Sequence, residues 1–303
     1  HYNLAVAVGV AVLVDDSDFV NTMQPTDSKR IPDPEMSQDE MKALQRQIAD
    51  AACWQDTLSV NPEMIRWEPT ETTKDTTQKT IDSSTSTTDI PNQDADETQP
   101  LVAGVDQAFR TEQSEVISAI VLTRGATVVD RIVAVTDLSI PYIPGLLSFR
   151  EGGPILAAFE EISQKPDITM FDGSGRMHYR QAGLATHIGV VLDIPTIGVA
   201  KSLLCGTPES DTAQRPAGWQ TQINADETVE DADTETVIGH ALQTRQYDSR
   251  KIINPVYVSP GHRVSATTAV KITQALCDGY KLPEPTRRAD AYADEIKREY
   301  SDN

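Results

Sequence analysis

Apolar residues recur with two different periods along this chain. In the stretch DPEMSQDEMKALQRQIADAACWQDTL, residues 33–58, they fall at Met41, Leu44, Ile48 and Ala52, which places them on one face of a helix. Ser37 followed by Glu40 reads as a capping box at the start of that helix. From Pro100 the pattern changes. LVAGVDQAF, VISAIVLTR and TVVDRIVAVTDLS predict three successive strands, turning at Glu112–Glu115 and Gly125–Ala126. GGPILAAFEEISQK then predicts a helix, DITMFD a strand buried on both faces, YRQAGLATHIGVVLD a second helix and PTIGVAK another strand. ETVIGHALQTR and NPVYVSP predict two further strands, and ATTAVKITQALCDGY a closing amphipathic helix. A meander of strands followed by alternating helix and strand predicts an α/β domain, a mixed sheet with helices on both faces.

Two segments carry no period. Residues 69–99 are dominated by Thr, Ser, Asp and Gln without an aromatic residue, and are expected to be a disordered acidic linker or surface insert. Residues 208–235 are acidic and poor in apolar side chains, and are expected to be an insert that solvates rather than folds. The chain thus divides into an N-terminal extension (1–32), a helix-bearing segment (33–68), the linker, a main domain (100–290) and a C-terminal tail (291–303). Near the start, YNLAVAVGVAVLV is apolar for too short a run to span a bilayer. It has no basic residues before it, and acidic DDSD follows. An extra strand and a misplaced start both remain open.

The net charge of −20 argues, taken as an average, against a polyanionic partner. The average hides its distribution. Residues 1–100 carry −12, 101–205 carry −3, 206–236 carry −7 and 237–303 carry +2. The segments with the motifs below are near neutral, which leaves room for a local nucleic-acid surface. Arg outnumbers Lys, 16 to 10. Together with the acidity this suggests a chain adapted to high salt, where long-range charge is screened; an ordinary acidic protein is the alternative. The cysteines, Cys53, Cys205 and Cys277, are odd in number and widely spaced, so neither a disulfide framework nor a zinc site is expected, and a reducing cytoplasm fits.

Three carboxylates hold the candidate chemistry. Asp106 ends LVAGVD, Glu151 follows the turn PYIPGLLSFR, and Asp172 ends DITMFD just before a Gly-rich loop. A charge closing an apolar run is costly without a partner. Carboxylates at neighbouring strand ends can converge on divalent cations that neutralise phosphate oxygens during phosphodiester hydrolysis. Three unrelated surface acids is the competing reading. Lys201, at a strand end, could neutralise a phosphate or could be a solvated terminus. Tyr142 lies in a loop stiffened by Pro141 and Pro144, and reads either as a rigid aromatic wedge or as a core tyrosine in a turn.

PYIPGLLSFRE resembles the signature of the endonuclease V family, deoxyinosine-specific repair nucleases. GVD before it, and DG-G, H, IPTIGVAK and SPGHRVS after it, resemble the family's other blocks in the same order over residues 100–288, and the helix at 37–58 resembles the family's N-terminal helix. The resemblance implies a ribonuclease H-like fold and cleavage, dependent on Mg²⁺ or Mn²⁺, of the second phosphodiester 3′ to a deaminated adenine in DNA. Some members prefer inosine in RNA. It also implies that Asp106, Glu151, Asp172 and His262 bind the metal, and that His178 and Lys201 join them in catalysis. Tyr142 would be the wedge. Gly145, Leu147, Gly173, Gly183, Leu184 and Leu204 would line the pocket for the flipped base. On its residues alone His262 could equally be a turn histidine bonded to backbone, and His187 reads as structural. Two departures stand out: Ser174 replaces a common histidine in DGSG, and MHY, with Met177 and Tyr179, replaces AHP. A monomeric DNA-cutting enzyme is expected, with an inosine-specific ribonuclease and a non-catalytic nucleic-acid-binding module as alternatives.

Overall fold

The computed structural model describes residues 23–68, 96–247 and 252–301. The apolar N-terminal run and nearly all of the 69–99 linker lie outside the described residues. The rest is built on one nine-stranded mixed sheet. Strands β1 (Leu101–Arg110), β2 (Glu115–Arg124) and β3 (Thr127–Asp137) form the expected antiparallel meander. Strands β4 (Ile168–Asp172) and β5 (Thr196–Ala200) run parallel to β1, and β9 (Val256–His262) runs antiparallel to β5. Beyond β9 lie β8 (Val237–Leu242), β7 (Gln220–Asn224) and β6 (Thr207–Pro208), giving the order β3-β2-β1-β4-β5-β9-β8-β7-β6.

Side chains alternate across each strand, so each face needs its own cover. On one face Leu101, Ala103 and Val105 of β1 and Ile120 and Leu122 of β2 pack against helices α2 (Leu147–Glu160) and α3 (Leu184–Leu192). On the other face Val102, Met170, Ile197, Val199 and Val258 pack against α4 (Ala266–Ala275). Ala108, Ile117, Ala119 and Val121 on that face pack against α5 (Glu284–Ser301). Helices on both faces of this mixed sheet make the ribonuclease H-like arrangement. Helix α1 (Gln38–Ala51) has the predicted capping box, and buries Met41, Leu44 and Ile48 against Phe149, Ala182 and Val190. Among the described residues no helix is long and apolar enough to cross a membrane.

The structure corrects three sequence-based expectations. The insert at 208–235 is folded: β7 pairs with β8, and Ile223, Ala225 and Val229 are buried against Met177, Ile238 and Ala241. Its low apolar content misleads because a strand added to an existing sheet edge takes its backbone hydrogen bonds from that edge, and a few alternate side chains seal it. Residues 291–301 are not a tail but the body of α5, whose Ala289, Ala293 and Ile296 keep a helical period against the sheet. Helix α2 begins before the Gly-Gly-Pro that was expected to start it, with Pro154 inside the helix. Residues 23–32, part of the unassigned extension, pack on α3 through Thr26, whose N–H and hydroxyl both donate to the Val191 carbonyl.

Candidate active site

Parallel pairing sets the site. Val105 of β1 stands opposite Phe171 of β4, so the next residues, Asp106 in the middle of β1 and Asp172 at the end of β4, lie side by side, about 5 Å apart across the ladder. Both acids line an open cleft of about 320 Å³ with Glu151, Lys201, Leu147 and Gly173. Glu151 projects from the second turn of α2, and Lys201 follows directly on β5. The Lys201 ammonium contacts an Asp172 carboxylate oxygen at 2.5 Å. Burial opposes its charge, but Asp172, Asp106 and Asp290 raise its pKa above the usual lysine range.

Asp290 was not foreseen. It lies in the second turn of α5 and lines the same cleft, and its carboxyl meets that of Asp106. What brings it there is the packing of α5 on Gly104, two residues before Asp106 on β1. A β-carbon at Gly104 would stand 2.0 Å from the Pro285 carbonyl oxygen, so only glycine admits the helix. The signal was present in PEPTRRADAYADEI, where Ala289, Ala293 and Ile296 repeat helically and leave Asp290 beside the buried face.

The cleft is electrostatically under-compensated. Burial, then the neighbouring Asp172 charge, pushes Asp106 up to about 8, and burial likewise pushes Glu151 up to about 8. Four carboxylates around one ammonium are a hard-oxygen donor set short of positive charge, which is the chemistry that fits Mg²⁺ or Mn²⁺. Among the described residues no three acidic, histidine or cysteine side chains stand at coordinating spacing. Lys281 is also close: burial lowers its pKa, and nearby Lys201 pushes the same way.

His262 is not part of this group. It stands opposite Thr196, the first residue of β5, whereas Asp172 stands opposite Val199 near the other end. That is about 10 Å along the strands at 3.3 Å per residue, and β9 lies two strands away from β4. There Nε2 bonds Asp193 at 3.2 Å and Nδ1 accepts from the Cys53 N–H at 3.1 Å. The resemblance through SPGHR put His262 with the acids, but β9 runs antiparallel to β5, which sets His262 at the opposite end of these strands.

His178 also lies outside the cleft. It is buried, and its Nε2 donates to the Gly145 carbonyl at 3.1 Å, while Nδ1 accepts the Arg180 N–H. Burial, then the Arg180 charge, lowers its pKa to about 3, which favours the neutral ring at ordinary pH. Tyr142 is 62% exposed, which rules out the core reading. Gly183 caps α3, and a β-carbon there would stand 2.4 Å from the Ser174 carbonyl oxygen. Leu184 is buried beside Gly173. Leu204 is half-buried, beyond Lys201 and outside the cleft lining. Ser174 uses its carbonyl to accept the Ala185 N–H at the start of α3. His187 is structural as expected: fully buried, it bonds the Ser148 hydroxyl and the Arg30 carbonyl.

Known proteins resemble this chain in sequence and in fold. A protein from Haloarcula marismortui named endonuclease V is 54% identical over 278 residues, 91% of this chain and 98% of its own. A solved endonuclease V from Streptomyces avermitilis superposes with a TM-score of 0.64 at 30% identity, covering 92% of this chain and 99% of the other. Ciona intestinalis endonuclease V, solved with a 24mer DNA containing an inosine followed by a ribo-adenosine, superposes at 0.60 with 22% identity, covering 86% and 98%, and shows the shared fold. The sequence pattern that defines the family matches residues 84–291, from before β1 to one residue past Asp290. The chain belongs to the endonuclease V family of nucleases.

Proposed function

We propose that the protein is a divalent-cation-dependent endonuclease that recognises deoxyinosine in DNA and cleaves the second phosphodiester on its 3′ side, acting as a monomer. The observation that carries this is the in-register pair Asp106 and Asp172, flanked in one cleft by Glu151 and Asp290. Those four carboxylates would hold Mg²⁺, or Mn²⁺ in its place. When bound, the cation supplies Lewis-acid neutralisation of phosphate oxygens and an activated water.

The chain's own residues do the rest. Lys201 offers a half-exposed point charge to the phosphate at the cleft mouth. Tyr142, exposed on its proline-stiffened loop, fills the space a base leaves when it is turned out of the stack. The backbone of Gly173, in the cleft lining, offers close approach to a purine edge. The DNA in the Ciona endonuclease V structure contains inosine, and membership of the same family supports that substrate here. All the acids of the cleft are present, which disfavours a binding module without activity.

The test is cleavage of labelled inosine-containing DNA and RNA strands with Mg²⁺ in low and in multimolar KCl. A single cut at the second bond 3′ to inosine in DNA, lost with EDTA, is the expected result. Cutting of RNA alone would reassign the substrate, and binding without cutting would make the protein a recognition module.

A further inference from the structure

The wedge loop ends on a carbonyl that three buried side chains share. Gln45 Nε2 of α1 donates to the Gly145 oxygen at 3.0 Å, His178 Nε2 at 3.1 Å and Arg180 Nη2 at 3.0 Å. A carbonyl has two lone pairs, so three donors on one oxygen is a heavy commitment at a residue three positions from Tyr142. Gly145 itself has φ +77°, and a β-carbon there would stand 3.2 Å from both Arg180 Nη2 and the Tyr179 ring. Side-chain contacts cross-link the donors, since Arg180 Nε donates to Gln45 Oε1 at 2.7 Å.

Behind this cluster stands the acidic insert. Glu230 faces Arg180 Nη1 at 3.6 Å and accepts from Arg46 Nε at 2.8 Å. The Glu230 N–H donates to the Tyr179 carbonyl, and Gln181 Nε2 donates to the Glu230 carbonyl. One carboxylate thus ties α1, the loop carrying His178 and Arg180, and the insert into a single unit.

We propose that Gln45, His178 and Arg180, with Glu230 and Arg46 behind them, are positioning residues that fix residues 141–146 and thereby set how strongly the protein discriminates inosine from an ordinary base. The insert is then a specificity element. The loop it controls presents Tyr142, whose side chain is free to solvent while Ile143 on the same loop packs toward α1. A wedge discriminates only if its position is fixed before the strand arrives, because a mobile aromatic stacks with any base at an ordering cost. The discrimination part rests on the proposed inosine reading; the loop-ordering part does not.

The experiment uses the full chain with Glu230→Gln and Gln45→Met, neither of which touches the cleft. Hydrogen–deuterium exchange of the amides at 142, 143, 145 and 146 reads the loop without substrate. Dissociation constants for matched strands with and without inosine, and kcat and KM on the inosine strand, read the consequence. Faster exchange is expected, together with a fall on the order of tenfold in the inosine preference, the scale of one base–aromatic stack. KM should rise while kcat stays within about twofold, because the cleft is untouched. Arg180→Lys should not rescue, since a single ammonium cannot reach the Gly145 oxygen, Gln45 and Glu230 together. Unchanged exchange would overturn the clamp. Faster exchange with unchanged preference would overturn its role in specificity. If the unaltered protein shows no inosine preference, the substrate reading falls with the specificity claim, and the exchange data still decide whether the clamp orders the loop.

Discussion

The two ends of the central strands hold similar residues in opposite conditions. At one end Asp106, Glu151, Asp172 and Asp290 crowd a cleft whose lining includes one cation, Lys201, and burial drives Asp106 and Glu151 up to about 8. At the other end Asp193 receives both arms of the Arg263 guanidinium, at 2.8 and 2.7 Å, and bonds His262. The Arg263 hydrogen bonds hold its carboxyl below the usual range. Acids at the second end are satisfied by the protein. Those at the first are left for something else to satisfy, at a cost in stability, which is how a site is told from a staple.

The sharpest way to break this contrast is substitution. Asp106→Ala or Asp172→Ala should reduce cleavage by roughly a thousandfold or more, since each removes a carboxylate that would hold the cation that neutralises phosphate charge in the transition state. The same changes should leave the cation-free protein as stable or more so, with Tm unchanged or raised by about 2–4 °C. Near-normal cutting would end the assignment. Asp290→Asn should behave in the same way, and would show whether the unforeseen acid is a full member.

Cation binding should come next in size. Mg²⁺ at a hundred times its Kd should stabilise the unaltered protein by about 2.7 kcal/mol, and the Asp106→Ala variant by far less. Equal melting shifts in both would place the cation elsewhere. Tyr142→Ala should weaken inosine-strand binding by about 1–3 kcal/mol, and unmodified strands less; equal losses would make the tyrosine merely structural.

The histidines extend the contrast between buried and paired groups. His187, buried without an acid beside it, has its pKa lowered to about 4, and His178 to about 3. Both lie below the unfolded value of about 6.5, so the unfolded chain takes up protons first as pH falls. Their contribution to stability is complete above pH 6.5 and is lost as pH drops toward 4. Tm should follow that slope, and His187→Gln should flatten it. The smallest effects belong to the paired end. Asp193→Ala gives up a half-exposed bidentate pair worth about 1 kcal/mol. It should lower Tm by about 2–4 °C with cleavage intact, and His262→Asn should likewise keep cutting. Lost activity in a folded His262→Asn protein would return that histidine to the site.

Much of this was legible in the sequence, for definable reasons. The meander, the buried strand ending at Asp172 and the capped α1 follow from local periodicity, which needs no knowledge of neighbours. Asp106 and Asp172 could be paired because both close apolar runs that must lie in the sheet. His262 was assigned to the metal by resemblance alone, and the antiparallel run of β9 sets it beside Thr196 at the other end of β5 from Asp172 and Lys201. Asp290 was missed because the period of Ala289, Ala293 and Ile296 shows a helix and its buried face, but not that Gly104 admits that helix onto β1 beside the cleft. The insert was read as solvent-borne because a count of apolar residues ignores the sheet edge that receives it. The Gly145 cluster has the same character: its donors are residues 45, 178 and 180, brought together only by folding.

The glycine at 104 also sets an order of events. A polypeptide leaves the ribosome from its N-terminal end, so every strand of the sheet emerges before residues 284–301 do. Until α5 settles onto β1, the cleft lacks Asp290 and the wall that α5 contributes. The last helix therefore acts as the closing latch of a cutting tool that is incomplete while it is still being synthesised.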